Sequence, residues 1–146
     1  MSKLTPKDKR KARILALQVL YAIELNGSQL DDTYNLILDQ LELPSNGILK
    51  YGKKLSKLVS NHILELDQLI KERSKNWNFS RITLMDKLIL RMSLLEMIYI
   101  SEVPPKVSIA EGVEIAKEFS TQDSSSFING ILDSIYNENN IGVKGC

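Results

Sequence analysis

Apolar residues recur every three or four positions along almost the whole chain, and no segment alternates apolar and polar residues convincingly. Because an α-helix has about 3.6 residues per turn, this spacing places apolar side chains on one helix face. A polar stretch at residues 74–80 divides the pattern. The sequence therefore predicts about six helices in two groups, with short connections that favour antiparallel neighbours in a compact bundle.

Capping residues predict where the first two helices begin and end. Thr5 as N-cap, Pro6 at the first helical position and Asp8 at the third form a strong start signal. Gly27 predicts the end of this helix, because glycine readily adopts the left-handed conformation that closes many helices. Ser28 can then cap the second helix.

The remaining pattern predicts four more helices. Apolar spacing continues without a break from Ile48 to Ile70, after a turn cluster at residues 44–47, and indicates one long helix. The most apolar helix follows, with its apolar positions between Met85 and Tyr99, and it ends before two prolines at residues 104–105.

Two further start signals lie towards the C-terminus. Ser108 and Glu111 are spaced as a capping box for the fifth helix. Asp123 or Ser124 can cap the last helix. Residues 137–146 are polar and contain glycine, so they are predicted to form a flexible tail.

Composition fits one globular domain in a reducing compartment. The chain has 146 residues, 43% apolar and 25% charged, so a single domain over residues 1–136 is expected. No apolar run approaches the roughly 20 residues of a membrane span, and the N-terminus lacks the apolar core of a secretion signal. Cys146 is the one cysteine, which excludes a disulfide framework and a cysteine-rich metal site and favours the cytoplasm.

The net charge of +1 conceals an asymmetry along the chain. Residues 1–13 carry six bases and one acid, whereas residues 14–146 carry 13 bases and 17 acids. A basic block on a mildly acidic body favours an anionic partner at one end of the chain. A lysine-rich terminus that is simply solvated is the alternative.

The first helix places its cations where they oppose helix stability. Lys7, Lys9, Arg10, Lys11 and Arg13 fall in its N-terminal turns, where the helix dipole disfavours each positive charge by about 0.3–1 kcal/mol. Such a cluster can bind a phosphate backbone, because bound cations displace counterions, and arginine adds planar, two-pronged contacts. A nucleic-acid partner is therefore predicted, with a frayed and solvated helix start as the alternative.

Four blocks of sequence carry a family resemblance. They are Lys9-Arg10-Lys11-Ala12-Arg13 followed by Ala16-Leu17-Gln18-Val19-Leu20-Tyr21; Asp86-Lys87-Leu88-Ile89-Leu90-Arg91 with Glu96; Pro105-Lys106-Val107-Ser108-Ile109 leading to Glu114-Ile115-Ala116-Lys117; and Ser124 with Phe127-Ile128-Asn129-Gly130-Ile131-Leu132-Asp133. In order and spacing they resemble the NusB family of bacterial transcription antitermination factors, over about residues 8–136. One block alone would be weak evidence, and four in register are strong evidence.

The resemblance implies a compact all-α fold of six to seven helices, built from two three-helix bundles packed across each other. It implies a factor without catalytic activity or cofactor that pairs with ribosomal protein NusE. The pair binds the single-stranded boxA element of nascent RNA in this family. The complex joins RNA polymerase with other Nus factors and suppresses premature termination, notably on ribosomal RNA operons.

By position, the resemblance implies RNA contacts from the first helix. Gln18 and Tyr21 lie one helical turn apart and would extend the basic surface, unless they are ordinary surface-packing residues. The main phosphate and base contacts would be the basic residues at the start of this helix, Lys9, Arg10, Lys11 and Arg13.

Two more implied RNA contacts lie near the C-terminus. Single-stranded bases stack on exposed rings, so Phe127 is the aromatic candidate, and a core position beside Ile128 and Ile131 is the alternative. Asn129 can hydrogen-bond a base edge or only local backbone. Gly130 lowers helix stability relative to alanine, which indicates a close approach by a neighbouring helix.

Charged residues of the most apolar helix are assigned to other roles. Asp86 could belong to a protein-partner surface, although an acid at a helix start also simply suits the helix dipole. Arg91 and Glu96 are expected to form internal ion pairs that link helices.

The chain departs from the family pattern at several positions. Ser126 stands where the family often has a basic residue, so one RNA contact is missing. Ala110 replaces a frequent asparagine and Gly112 a frequent alanine, which affects local helix stability more than function. Lysine replaces arginine at Lys9 and Lys11, which keeps the charge but loses the bidentate fork, so weaker or less selective RNA binding is expected.

The sequence gives little support to an enzyme. His62 is the one histidine and lies among apolar positions, where a partly buried structural role is expected. Glu111 and Glu114 share a helix face without a partner motif. No glycine-rich phosphate loop, nucleophile elbow or metal-ligand spacing occurs, so no catalytic or metal site is predicted.

Three alternatives remain for a non-catalytic chain. NusB-like domains occur fused to RNA methyltransferases, and this chain would then be an RNA-targeting module only. A stand-alone protein-interaction bundle with an incidental basic end is the second. Homodimerisation through the basic surface would hide the RNA site and act as a storage state, and the residues leave it open.

Overall fold

The structure is a computed structural model that describes residues 4–40, 45–74 and 79–138. Within those ranges it is all-helical, as predicted, with a short 3₁₀ turn at Phe79–Arg81. The seven α-helices are α1 (Pro6–Asn26), α2 (Leu30–Gln40), α3 (Asn46–Asn61), α4 (Ile63–Arg73), α5 (Leu84–Tyr99), α6 (Pro105–Phe119) and α7 (Gln122–Glu138). Asn137 and Glu138, predicted to begin the flexible tail, belong instead to α7, and the predicted tail from position 139 onward lies outside the described residues.

The chain forms two compact units, an N-terminal unit (Met1–Ser60) and a C-terminal unit (Asn61–Cys146). The prediction of two groups is therefore confirmed, but the division does not fall at residues 74–80. The prediction of one long helix over residues 48–70 is wrong, because the backbone of His62 (φ −125°, ψ 19°) leaves the helical region between α3 and α4. Apolar spacing could not reveal this break, since Val59 and Leu66 are seven residues apart and continue the same pattern.

Helices α1, α2 and α3 build the core of the N-terminal unit. Leu15, Val19 and Tyr34 are buried together, and the Tyr34 hydroxyl lies 2.6 Å from Ser56 Oγ. Gly52 lets α3 approach α1 closely, because a Cβ at this position would lie 3.2 Å from the carbonyl oxygen of Ala12. Half-buried apolar side chains complete this core: Ile23, Leu30, Ile37 and Leu49.

Helix α5 is the centre of the C-terminal unit. Every residue from Leu88 to Met97 is buried, because α4, α6 and α7 all pack against α5. A helix that is apolar almost all round must be enclosed by others to be stable in water. This arrangement explains why α5 is the most apolar segment of the chain.

The predicted ends of α1 are confirmed in detail. Thr5 and Asp8 form a reciprocal capping box, with Asp8 N donating to Thr5 Oγ1 at 3.1 Å and Thr5 N donating to Asp8 Oδ2 at 3.2 Å. Gly27 ends the helix in the left-handed conformation at φ 68°. Both signals were local in sequence, and no tertiary contact overrides them.

Three other start signals are corrected by the structure. Helix α6 begins at Pro105, so Ser108 lies inside it and donates a buried hydrogen bond to Glu96 Oε1 instead of capping the helix. Helix α7 begins at Gln122, and its cap is Thr121, whose Oγ1 accepts from Ser124 N at 3.0 Å. In α2, the backbone N–H of Thr33 donates the first helical hydrogen bond to the carbonyl of Gln29. The N-cap is therefore Gln29, one residue after the predicted cap Ser28.

The described part of the predicted turn cluster at residues 44–47 also differs from expectation. Ser45 Oγ accepts a hydrogen bond from Ile48 N and caps α3, so Gly47 lies in the first turn of a helix. In the part of the chain that the structure describes, no helix combines the length and apolarity that a membrane crossing requires.

Candidate nucleic-acid interface

The basic start of α1 presents most, but not all, of its cations to solvent. Lys7, Arg10 and Lys11 are exposed and Lys9 is half-buried, whereas Arg13 is only 3% exposed. Arg13 is enclosed because it lies four and seven residues before Leu17 and Leu20, which are both buried. This spacing was a signal, available in the sequence, that Arg13 shares the apolar face of the helix.

The capping box holds this cationic turn in helical conformation. Asp8 places a carboxylate at the third helical position, where a negative charge interacts favourably with the helix dipole. Its side chain also satisfies the N-cap amide of Thr5. The capping box therefore opposes the destabilisation that the neighbouring lysines and arginines cause.

Gln18 and Tyr21 continue the solvent-facing side of the same helix. Gln18 is exposed and Tyr21 is half-buried. Because Lys11 and Gln18 are seven residues apart, both project from one side of α1. All the RNA-contact candidates predicted from the first part of the sequence thus lie on α1, in the N-terminal unit.

Phe127 and Asn129 lie on α7 in the C-terminal unit. Asn129 is exposed, and Phe127 is half-buried at the edge of an open cleft of about 210 Å³. The ring is therefore neither fully solvated nor sealed in the core beside the fully buried Ile128. The other residues that line this cleft are Arg81, Ile82, Thr83, Asp86, Asp123 and Ser124.

Arg81 is a cleft residue that the sequence analysis missed. It is an exposed cation in the 3₁₀ turn just before α5, and the cleft places it in the same lining as Phe127. A cation and a partly exposed ring in the lining of one cleft suit the phosphate and the base of a nucleotide. No local pattern indicated this pairing, because 46 positions separate the two residues in the chain.

Asp86 lies in the first turn of α5 and is only 6% exposed. Its two carboxylate oxygens accept hydrogen bonds of 2.8 Å each, one from Ser120 Oγ and one from Ser124 Oγ. The carboxylate therefore ties the connection between α6 and α7 to the start of α5. A role on a protein-partner surface stays a prediction.

The expected internal ion pair of Arg91 is confirmed, and Glu96 links its helix to a neighbour through a hydrogen bond from a serine. Arg91 makes a bidentate contact with Asp67, from Nε at 2.7 Å and from Nη2 at 2.9 Å, and this pair joins α5 to α4. Glu96 is 1% exposed and accepts a hydrogen bond of 2.7 Å from Ser108 Oγ, which joins α5 to α6.

The two glycines that the sequence singled out behave differently. A Cβ on Gly130 would meet no atom within 4 Å, so the predicted close approach by a neighbouring helix is wrong. A Cβ on Gly112 would collide with Ser93 Oγ and lie 3.3 Å from Ser93 Cβ. The packing of α6 against α5 thus leaves no room for a Cβ at position 112 unless Ser93 shifts. Ala110 and Ser126 are exposed.

His62 has a structural environment. The centre of its imidazole ring lies 4.5 Å from the centre of the Tyr99 ring, and the two ring planes are tilted by 39°. The Tyr99 hydroxyl donates to both carboxylate oxygens of Glu65, at 2.8 Å and 2.7 Å, and this hydrogen bond raises the pKa of Tyr99. In the described ranges, no group of histidine, cysteine, aspartate and glutamate side chains is arranged to hold a metal ion.

The sequence profile of the NusB family matches residues 10–137 of this chain. The chain belongs to the NusB family. The proteins named transcription antitermination protein NusB from Chloroherpeton thalassium and Thermodesulfovibrio yellowstonii are 39% and 38% identical to it, over 131 and 139 residues. These matches cover 90% and 89% of this chain, and 62% and 92% of the two relatives. The chain thus spans less than two thirds of the Chloroherpeton protein.

Solved NusB structures have the same fold. NusB from T. maritima superposes with a TM-score of 0.80 at 27% identity, over 89% of this chain and 91% of that chain. A chain from the crystal structure of antitermination factors NusB and NusE in complex with dsRNA gives a TM-score of 0.81 at 24% identity, over 90% and 97% of the two chains. The seven helices are therefore those of the NusB fold, and the NusB family is non-enzymatic.

Proposed function

We propose that this chain is a cytoplasmic transcription antitermination factor that binds single-stranded, boxA-type RNA together with ribosomal protein NusE. The complex joins RNA polymerase and other Nus factors and helps the polymerase avoid premature termination on ribosomal RNA operons. The observation that carries the proposal is the exposed basic start of α1, held in helical form by its capping box, in a chain of the NusB family. No catalytic step or cofactor is part of this function.

Arg10 and Lys11 are the main phosphate contacts in this proposal, because both are exposed in the first turns of α1. Lys9 adds a half-buried charge beside them. Arg13 is enclosed in the free protein, so a direct contact would require its side chain to move. Gln18 and Tyr21 extend the same surface along the helix.

Phe127 supplies the stacking platform for a base in the same proposal. Its half-exposed ring borders an open cleft that also contains Arg81, and stacking of one base on an aromatic ring contributes about 1–3 kcal/mol. Asn129 is exposed on the same helix and offers a donor and an acceptor to a base edge. The amide therefore gives α7 a means to distinguish one base from another, whereas stacking on the ring adds affinity for any base.

The experiment that tests the proposal is RNA binding with and without NusE, on boxA-like and scrambled single strands over a salt series. We expect weak binding by the chain alone and tighter, sequence-selective binding by the pair. Equal affinity of the pair for both strands would overturn the antitermination function, and a homodimer that dissociates on RNA binding would be compatible with it.

Residue roles are tested in the same assay. Arg10→Ala combined with Lys11→Ala is expected to lower affinity and to reduce the salt slope by about 0.7 for each lost phosphate contact. Lys106→Ala combined with Lys117→Ala is the matched control, because it also removes two exposed charges and neither lysine belongs to the proposed surface. An unchanged slope in the double variant would remove both residues from the RNA site.

A further inference from the structure

Helix α3 carries a second concentration of positive charge, separate from the start of α1. Between residues 45 and 64 the chain contains four lysines and no aspartate or glutamate. All four lysines lie within α3, at Lys50, Lys53, Lys54 and Lys57. This segment is not part of the four resemblance blocks, so its charge is interpreted here from its own residues.

Helical geometry gathers the four lysines on one side of α3. At about 100° per residue they fall within an arc of about 100°, and they span about 10 Å along the helix axis. The buried residues Ile48, Gly52, Leu55 and Val59 lie on the opposite side, facing the core of the N-terminal unit. Lys50, Lys54 and Lys57 are exposed, and Lys53 is half-buried with its Nζ 5.6 Å from the centre of the Tyr34 ring.

Helix stability does not account for this arrangement. Lysines three or four positions apart on a helix repel each other, and α3 contains four such pairs. Among the described carboxylates, none lies within ion-pair distance of these lysines. The like charges are therefore uncompensated within the described structure, which is the pattern of a surface that an external anion neutralises.

The exposed residues of α3 also indicate the kind of anion. A protein interface depends on apolar or aromatic anchors that become buried at its centre, and an amphipathic helix on a membrane needs an exposed apolar face. The exposed positions of α3 offer neither, since they are Asn46, Lys50, Lys54, Lys57, Ser60 and Asn61. The phosphodiester backbone of a nucleic acid, by contrast, is bound by neighbouring cations and small hydrogen-bond donors alone.

We propose that the lysine face of α3, formed by Lys50, Lys54 and Lys57, is a second RNA-binding surface that holds phosphates without regard to base sequence. The inference rests on the proposed function, because it assigns to the lysine face the RNA that flanks the recognised element. The face contributes affinity and salt dependence, and the base contacts on α7 contribute selectivity.

The test compares two triple variants of the full chain in complex with NusE. Lys50→Gln/Lys54→Gln/Lys57→Gln removes three charges from the lysine face. Its matched control removes three exposed charges from the C-terminal unit, Lys71, Lys106 and Lys117, each changed to glutamine. All six lysines are exposed, so both variants are expected to fold, and circular dichroism checks that they do.

Binding is measured on a boxA-like strand with and without a flanking extension of about ten nucleotides, which approximates one single-strand site. We expect the extension to increase the affinity of the unmodified chain and of the control variant. In the lysine-face variant, the extension brings no gain. On the extended strand its salt slope falls by about 2, at about 0.7 per lost contact. The ratio of affinities for boxA-like and scrambled strands stays unchanged.

Each other outcome separates this inference from the proposed function. The lysine-face variant could keep the salt slope of the unmodified chain and the same increase in affinity from the flanking extension, with boxA selectivity intact. In that case the lysine face is not an RNA surface, and the proposed function stands. If selectivity is absent in every variant but the slope still falls by about 2, the proposed function fails and the lysine face is supported. Loss of NusE binding with unchanged RNA contacts would make the face a protein surface and overturn the inference.

Discussion

Alanine at Gly112 and at Gly130 should have opposite effects on stability, although both glycines lie inside helices of the C-terminal unit. Each replacement restores helix propensity worth up to about 1 kcal/mol. At Gly130 nothing opposes this gain, because the new Cβ meets no atom within 4 Å. We therefore expect Gly130→Ala to raise the free energy of unfolding by about 0.5–1 kcal/mol.

At Gly112 the same gain is opposed by packing. The new Cβ would overlap Ser93 Oγ and lie 3.3 Å from Ser93 Cβ and 3.6 Å from Leu132 Cδ1. Ser93 is 3% exposed on α5, so α5 and α6 would have to separate or the Ser93 side chain would have to leave its position. Overpacking of this kind costs about 1–3 kcal/mol, which makes Gly112→Ala a net destabilisation of about 1 kcal/mol.

The assay is urea unfolding of both variants, followed by circular dichroism, with the unmodified chain as reference. The free energies of unfolding of the two variants should differ by roughly 2 kcal/mol. In thermal unfolding of the same variants, each 1 kcal/mol should shift Tm by about 2–4 °C in a protein of this size. Ser93→Ala in the Gly112→Ala background removes the closest contact. It should restore most of the lost stability, and this coupling assigns the effect to the α5–α6 contact.

Equal stability of the two variants would refute this reasoning. That result would mean that α6 can shift away from Ser93 without cost and that the close approach is not a packing constraint. A destabilisation of Gly112→Ala that Ser93→Ala fails to relieve would show that the Ser93 hydroxyl is not the cause and would leave the 3.3 Å contact with the Cβ at position 93.

Two further predictions concern buried polar groups. Burial raises the pKa of Tyr34 to about 12, so the unfolded chain, with a tyrosine pKa near 10, loses this proton first. About 2–3 kcal/mol of stability should therefore disappear between about pH 10 and pH 12. The urea midpoint of Tyr34→Phe should fall less steeply with pH over that range than the midpoint of the unmodified chain. Parallel profiles of midpoint against pH would contradict the assignment of this loss to Tyr34. Asp67→Ala should cost about 3 kcal/mol, because it leaves the Arg91 guanidinium without its bidentate partner in a largely buried site. Lys117→Ala, which breaks the exposed pair with Glu114, should cost less than about 1 kcal/mol, and equal losses would show that burial is not decisive.

Features that depend on neighbouring residues were predictable from the sequence. The start and end of α1 follow from Thr5, Asp8 and Gly27, whose effects act within one helical turn. These predictions were confirmed because no distant contact competes with the local preference.

Features that depend on distant contacts were not predictable. Ser108 and Glu111 have the spacing of a capping box, but Pro105 starts α6 earlier and Ser108 finds Glu96 across the α5–α6 contact. Asp86 meets Ser120 and Ser124 across 34 and 38 positions. The break at His62 was hidden because the apolar period continues through it.

The predicted site was only partly accessible from sequence. Charge alone placed Arg13 with the exposed cations of α1, although its register with Leu17 and Leu20 assigns it to the buried face. The environment of Phe127 depends on a cleft whose lining also includes Arg81, from a distant part of the chain. Charge density therefore predicted which helix carries the surface, and packing decided which of its basic residues face solvent.

The capping box of α1 has a consequence for the entropy of association. Lys9, Arg10 and Lys11 already lie in regular helix before any partner binds, because Thr5 and Asp8 close the first turn. Fixing the backbone of a single residue costs about 1–2 kcal/mol, and an unfolded start would add that cost for each of these residues at the moment of binding. In the proposed RNA contact, Thr5 and Asp8 therefore lower the entropic cost of binding without touching the RNA, because they order the cations in advance.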